Sequence, residues 1–146
     1  MKPLLFGPLA SPRVSVGLLV VRFTFGLGLA MHGWPKIQNA FGWIGPNAPV
    51  PGFLQALAAL AEFGGGLAWM VGFLTPLASL GVLITMAAAL AMVHVRMGHP
   101  FVSATGGPSM ELALLYLAAS VLLLLAGAGR FSIDSPLARR TERAAS

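Results

Sequence analysis

Two charged residues, Arg22 and Glu62, each lie inside a long apolar run of the sequence. If these runs are helices that cross a membrane in opposite directions, a rise of about 1.5 Å per residue places the two charges within about 4 Å of each other in depth. An unpaired charge at that depth costs at least about 2.5 to 3.5 kcal/mol. We therefore expect an ion pair between Arg22 and Glu62, which either fixes the register of two helices or takes part in a ligand or proton site.

Three glycines lie two to four residues after Glu62, in the segment "EFGGG". Gly65 and Gly66 have no side chains, so they permit the close approach of a neighbouring helix or of a ligand. They are therefore candidates for a binding surface beside Glu62.

A second polar group is expected where the runs end, on the side away from the chain termini. Histidine exchanges a proton near physiological pH, and cationic side chains stabilise a developing oxyanion or attract an anionic substrate. Simpler roles stay open: lysine and arginine extend to lipid headgroups, and an acid in the first turn complements the positive end of its helix. The group comprises His32, Lys36, His94, Arg96, His99 and Glu111.

Metal and haem chemistry is less well supported by these residue types. Haem b between His32 and His94 is a weaker alternative, because no second histidine pair lies deeper in the runs. A three-histidine metal site is also weak, since His99 is expected in a loop. The absence of cysteine excludes thiolate metal sites, iron–sulfur ligation and disulfide exchange for this chain. We predict no metal site.

The composition defines the elements that must position these residues. Hydrophobic residues make up 57% of the 146 residues and charged residues only 9%, and the mean hydropathy is +0.84, which is typical of an integral membrane protein. Four apolar runs each approach the ~20 residues that a helix needs to cross a ~30 Å hydrocarbon core. The sequence therefore predicts an all-α membrane protein, an antiparallel bundle of four transmembrane helices. The runs extend over Val14 to Trp34, Phe53 to Leu74, Pro76 to Val95 and Met110 to Gly127.

The basic residues predict the orientation of this bundle. They flank the two chain ends (Lys2, Arg13, Arg130, Arg139, Arg140 and Arg143), whereas the first and third connections carry mainly Lys36 and Arg96. Cytoplasmic loops are enriched in lysine and arginine, so both termini are predicted to be cytoplasmic. The net charge of +5 is explained in this way without a nucleic-acid partner. Residues 1–135 are expected to form the membrane domain, and residues 136–146 a polar, basic C-terminal tail.

Two helix starts carry capping signals. In "FLTPLASL", Thr75 is expected to cap the third helix, with Pro76 at its first position. Ser109 is expected to cap the fourth helix, with Glu111 in its first turn.

Three segments resemble the signature regions of the DoxX family of small four-helix bacterial membrane proteins. They are "VRFTFGLGLAMHGWPKI" (Val21 to Ile37), "AEFGGGLAWMVGFLTPLASL" (Ala61 to Leu80) and "MELALLYLAASVLLLLAGAGRFSID" (Met110 to Asp134). The resemblance implies a multi-pass protein of the bacterial cytoplasmic (inner) membrane. Relatives include the membrane subunit of a thiosulfate:quinone oxidoreductase and members of other membrane oxidoreductase complexes.

The resemblance implies a quinone-linked redox subunit, a quinone-dependent oxidoreductase component that uses quinone as its cofactor. In that hypothesis Arg22, Glu62 and His32 form the catalytic group, with Glu62 as a proton relay. Lys36, His94, Glu111, Gly65 and Gly66 then bind the quinone or an anionic reductant.

The rival hypothesis is a non-catalytic membrane anchor or assembly subunit for a soluble or membrane oxidoreductase partner. A transporter would require a homo-oligomer, because four helices form a small pathway and the sequence has no inverted repeat. The lipid bilayer is the partner common to all three hypotheses.

Overall fold

The computed structural model describes residues 10–136, and within them it contains four α-helices of 15 or more residues and no strand. Helix α1 is Pro12–Gln38, α2 is Gly52–Val71, α3 is Thr75–Ala89 and α4 is Glu111–Ala126, and a π-helical turn, Leu90–His94, continues α3. The predicted all-α class is confirmed. The described residues do not include Lys2 or residues 137–146 of the predicted tail, which contain Arg139, Arg140 and Arg143.

Three of the helical segments are long and apolar enough to cross a membrane: α1, α2 and the continuous segment Thr75–His94. Helix α4 is equally apolar but has 16 residues. Large apolar side chains are exposed on the outer faces of the bundle, among them Val20, Leu60 and Ile84. Such faces are suited to hydrocarbon, which does not penalise exposed aliphatic side chains.

Contacts between the helix ends show that α1 runs antiparallel to both α2 and α4. The amide of Arg130, just after α4, donates to Ser15 Oγ near the start of α1 (3.1 Å), and Arg22 lies against Gly72 at the end of α2. We call this end, with the turn between α2 and α3, the terminal end. The opposite end, with the connections 39–51 and 95–110, is the loop end.

Glycines set the register between α1 and α2. A Cβ added to Gly33 would lie 2.3 Å from the amide nitrogen of Phe63, and one added to Gly66 would lie 2.6 Å from the amide nitrogen of Ala30. The two backbones therefore touch, which is how small residues strengthen helix packing in lipid. These contacts align the last turns of α1 with the middle of α2.

The predicted helix caps are wrong. Thr75 is the first residue of α3, and Leu74 precedes it in a left-handed conformation. Leu74 is the N-cap residue, and its side chain makes no capping hydrogen bond. The Asp134 carboxylate takes this role, accepting from the amides of Leu74 (2.7 Å) and Thr75 (2.8 Å). Helix α4 has Met110 at its N-cap, and Ser109 does not cap it.

Candidate functional site

The buried acid of α2 pairs with a lysine. Lys36 Nζ donates to both carboxylate oxygens of Glu62, at 2.6 and 2.7 Å. The Glu62 side chain is 5% exposed and that of Lys36 is 26% exposed. Lys36 Nζ also lies 4.5 Å from the centre of the Trp43 ring, a distance typical of a cation–π contact. The ammonium group is therefore held between a carboxylate and an aromatic face.

The predicted ion pair between Arg22 and Glu62 is wrong. Arg22 is fully buried, and its Nη2 donates to the carbonyl oxygen of Phe131 at the terminal end (2.6 Å). Arg22 precedes Lys36 by a distance of about 21 Å along the axis of α1. The glycine contacts explain the difference, because they align Glu62 with the last turn of α1 and the end of α2 with Arg22. Helix α1 also continues past Trp34 to Gln38, which carries Lys36 into the bundle.

Arg22 belongs to a separate cluster at the terminal end of the bundle. Its Nε and Nη1 are buried and have no hydrogen-bond partner within the described residues. A Cβ on Gly72 would overlap with Nη1, so only glycine leaves room for the guanidinium there. The amide of Asp134 donates to the carbonyl oxygen of Gly72 (2.9 Å) at the same end. This cluster ties α1 to the α2–α3 turn and to the segment after α4.

A cleft of about 360 Å³ opens beside the Lys36–Glu62 pair at the loop end. Its apolar wall is formed by side chains of α1, α3 and α4, and residues 107–109 of the last connection close one side. Six polar or titratable side chains line it: His32, Lys36, Glu62, His94, Ser109 and Tyr116. The structure thus brings together four residues that the sequence assigned to two different groups.

The imidazoles and the phenol are fixed by aromatic contacts. His32 and Tyr116 meet edge to face, with ring centroids 6.2 Å apart, and Gly28 leaves space for the Tyr116 hydroxyl, which would lie 2.6 Å from an added Cβ. His94 ends the π-helical turn, and its Nδ1 lies 3.1 Å from Nδ1 of His99. Single π-helical turns occur frequently at functional sites.

Other predicted site residues lie outside the cleft. Glu111 is exposed in the first turn of α4. Gly65 faces Val82 of α3, 3.1 Å from an added Cβ, and Gly66 faces α1, so both glycines serve helix packing. A part for Glu111, Gly65 and Gly66 in ligand binding stays a prediction.

One cleft residue and one pairing were missed from the sequence. Tyr116 was assigned no ligand role, and Lys36 was not considered as the partner of Glu62. The length of α1 carried the missing signal, because the helical pattern from Pro12 extends through "WPKIQ" and brings Lys36 into the same helix. In residues 10–136, no group of three or more histidine or acidic side chains is placed to hold a metal ion.

These features define an all-helical integral membrane protein with a buried ion pair and a polar cleft at one end. The sequence profile of the DoxX family matches residues 17–95. The chain belongs to the DoxX family, which confirms the resemblance, and the matched region includes Lys36, Glu62 and His94.

A relative supports this assignment over most of the chain. The chain is 32% identical to the inner membrane protein YqjF of Escherichia coli (strain K12) over 132 residues, which cover 86% of this chain and 95% of the relative. Together with the apolar helices, this confirms the predicted location in the bacterial inner membrane. No solved structure matches the chain significantly.

Proposed function

We propose that the cleft at the loop end binds the head group of a membrane quinone, and that the chain is the quinone-binding membrane subunit of an oxidoreductase complex. The observation that carries the proposal is the Lys36–Glu62 pair, buried in the wall of a ligand-sized cleft between apolar helices. Ionisable residues at membrane depth are rare and usually functional.

The proposal includes four membrane crossings with both termini in the cytoplasm. Helix α4 has 16 residues, or about 24 Å of helix, so the residues that flank it must complete a crossing. In the sequence, six lysine and arginine residues flank the two chain ends, among them Arg13 and Arg130, whereas Lys36 and Arg96 belong to the loop end. The positive-inside rule therefore favours a terminal end in the cytoplasm and a cleft near the outer surface.

The cleft residues suit a quinone. Ligand pockets of about 300 to 1,000 Å³ are typical, and this cleft is about 360 Å³. Its apolar side chains, such as Leu29 and Met86, match a carbon ring, whereas imidazole, ammonium and phenol groups can donate to two carbonyl oxygens. A quinone held there would take up two electrons from the partner subunit of the complex and two protons.

The Lys36–Glu62 pair and the two histidines of the cleft are the groups that can bind a ligand and exchange protons with it. Lys36 donates to both oxygens of Glu62, which keeps the pair electrically neutral as a unit in a medium of low dielectric. Its third N–H can donate toward the cleft when the ammonium group moves away from the Trp43 ring. Glu62 can accept a proton when that ammonium group shifts toward a ligand, and His32 and His94 can exchange protons with the same space.

The experiment is quinone binding by the purified protein. The protein is extracted in mild detergent, co-extracted quinone is identified by mass spectrometry, and a short-chain benzoquinone is titrated. We expect binding by the wild type and a loss of about tenfold or more in Lys36→Gln, since removing a charged hydrogen-bond donor costs about 1.5 kcal/mol or more. Arg96→Gln, which removes an exposed cation outside the cleft, is the matched control and should bind normally.

One observation favours the rival function, a non-catalytic anchor or assembly subunit for an oxidoreductase partner. The Arg22 cluster is as well buried as the Lys36–Glu62 pair. Arg22 contacts Phe131 and Gly72 of the same chain, which is what a purely architectural charge would do. If both clusters are architectural, the wild-type protein should contain no co-extracted quinone and should not bind added quinone. The variants Lys36→Gln and Glu62→Gln would then lower stability without changing the activity of a complex that still assembles.

A further inference from the structure

His94 and His99 form a pair of imidazoles in direct contact. Their Nδ1 atoms are 3.1 Å apart, and their rings are inclined by 73° with centroids 5.1 Å apart. At this distance an N–H of one ring donates to the lone pair of the other, so one Nδ1 carries a proton and the other does not. The pair therefore shares one proton between two chemically equivalent nitrogen atoms.

The backbone holds the two rings together. The amide of Val95 donates to the carbonyl of Leu90 (2.9 Å), and the amide of His99 donates to the carbonyl of His94 (3.0 Å). Both bonds span five residues, which is the spacing of the π-helical turn. Without this wide turn, positions 94 and 99 of a regular helix would project about 140° apart.

The pair extends from the cleft into the last connection. His94 lines the cleft and His99 does not, and both residues are half-buried. Beyond His99 the chain continues through exposed residues of the loop end. The other titratable or charged groups around the cleft and this connection are His32 and Lys36 of α1, Glu62 of α2, Tyr116 and Glu111 of α4, and Arg96 beside the pair.

We propose that His94 and His99 conduct protons between the cleft and the water at the loop end. The proposal rests on the proposed quinone site, which supplies and takes up the protons. His94 begins as the tautomer protonated at Nδ1, and His99 as the tautomer protonated at Nε2. A proton that reaches Nε2 of His94 makes an imidazolium, the Nδ1 proton of His94 passes to Nδ1 of His99, and Nε2 of His99 releases its proton to water.

Each transfer conserves protons. One proton enters at His94 and one leaves at His99, and both rings are again neutral with their tautomers exchanged. The pair resets when the two rings separate and each returns to its first tautomer through water, which takes a proton from one ring nitrogen and gives a proton to the other. Transfer in the opposite direction uses the same contact between the two Nδ1 atoms, so the path serves both oxidation and reduction of a ligand in the cleft.

The shared proton is tested by NMR of protein labelled with ¹⁵N-histidine in detergent micelles. We expect a scalar coupling between the two Nδ1 nuclei across the hydrogen bond, present in the wild type and in Arg96→Gln and lost in His99→Gln. A wild-type protein with assigned rings and no such coupling overturns the proposal.

Conduction is tested with a short-chain benzoquinone bound to the protein in nanodiscs. The quinone is reduced at an electrode, and proton uptake is followed with a pH-sensitive dye in the surrounding water. In His99→Gln we expect uptake to slow by about 100-fold with unchanged quinone affinity, and imidazole added to the buffer to restore the rate. Arg96→Gln should behave as the wild type.

The outcomes separate this proposal from the proposed function. Bound quinone with an unchanged rate in His99→Gln, or a slow rate that imidazole does not restore, overturns the proton path alone. A wild-type protein that binds no quinone overturns the proposed function, and the path loses its proton source with it.

Discussion

Replacing the two members of the Lys36–Glu62 pair, singly and together, tests the structural basis of the site. Breaking a fully buried ion pair costs about 3 to 5 kcal/mol, whereas an exposed pair contributes about 1 kcal/mol or less. The Glu62 side chain is 5% exposed and that of Lys36 is 26% exposed. Lys36→Gln, which leaves the more buried charge unpaired, should lower the free energy of unfolding by about 3 kcal/mol. Glu62→Gln should lower it by about 2 kcal/mol, because the lysine can turn toward water.

The double variant distinguishes direct pairing from two independent effects. Two glutamines leave no buried charge, so the double variant should lose only about 2 kcal/mol instead of the sum of about 5 kcal/mol. The coupling energy is then about 3 kcal/mol, at the upper end for residues in contact. The measurement is reversible unfolding of the purified protein in mixed micelles of mild detergent and dodecyl sulfate, followed by circular dichroism.

A second cycle provides the matched control. Arg22→Gln combined with Glu62→Gln should be additive within about 0.5 kcal/mol, because residues without shared partners do not couple. The reasoning is refuted if Lys36 and Glu62 are additive within the same margin, or if Arg22 and Glu62 show the larger coupling.

Three further changes probe the packing that positions the cleft, each measured by the same unfolding assay. Asp134→Ala removes the acceptor of the two amides at the start of α3 and should cost about 2 kcal/mol, as for a strong helix cap, whereas Asp134→Asn should retain part of it; equal stability of Asp134→Ala and wild type would contradict this role. Gly66→Leu places a side chain where an added Cβ already lies 2.6 Å from the amide nitrogen of Ala30 and should cost about 3 kcal/mol through overpacking; a neutral effect would show that α1 and α2 are not in contact there. The buried indole N–H of Trp69 donates to Ser79 Oγ at 3.0 Å, so Ser79→Ala leaves this donor without a partner and should cost about 1 to 3 kcal/mol. The tryptophan emission should shift to the blue, and an unchanged spectrum would contradict the role of this hydrogen bond.

Much of the fold follows from the sequence, and the pairing inside it does not. The apolar runs predicted the helices to within a few residues, because burial in lipid requires long uninterrupted apolar segments. The partner of Glu62 depended on the register between α1 and α2. That register is set by close glycine contacts such as that of Gly33 with Phe63. A pair between Arg22 and Glu62 would require the two helices to slide past each other by about 21 Å.

The cleft was only partly predictable for a related reason. His32, Lys36 and His94 were expected to gather at one end, since helix direction and depth can be counted from the sequence. The inclusion of Glu62 and Tyr116 in the same wall depended on which faces of α2 and α4 point inward. The hydrophobic pattern does not show this when lipid and the protein interior are equally apolar.

The sequence by itself determined a helical membrane protein of the DoxX family, because composition and apolar length fix the solvent in which the chain folds. Tertiary structure alone decided that Lys36 neutralises Glu62, that Arg22 binds the carbonyl of Phe131 and that Asp134 caps α3. The physical reason is that a buried charge is stabilised by whichever group the backbone brings within hydrogen-bonding distance. Those distances depend on contacts between helices far apart in the chain.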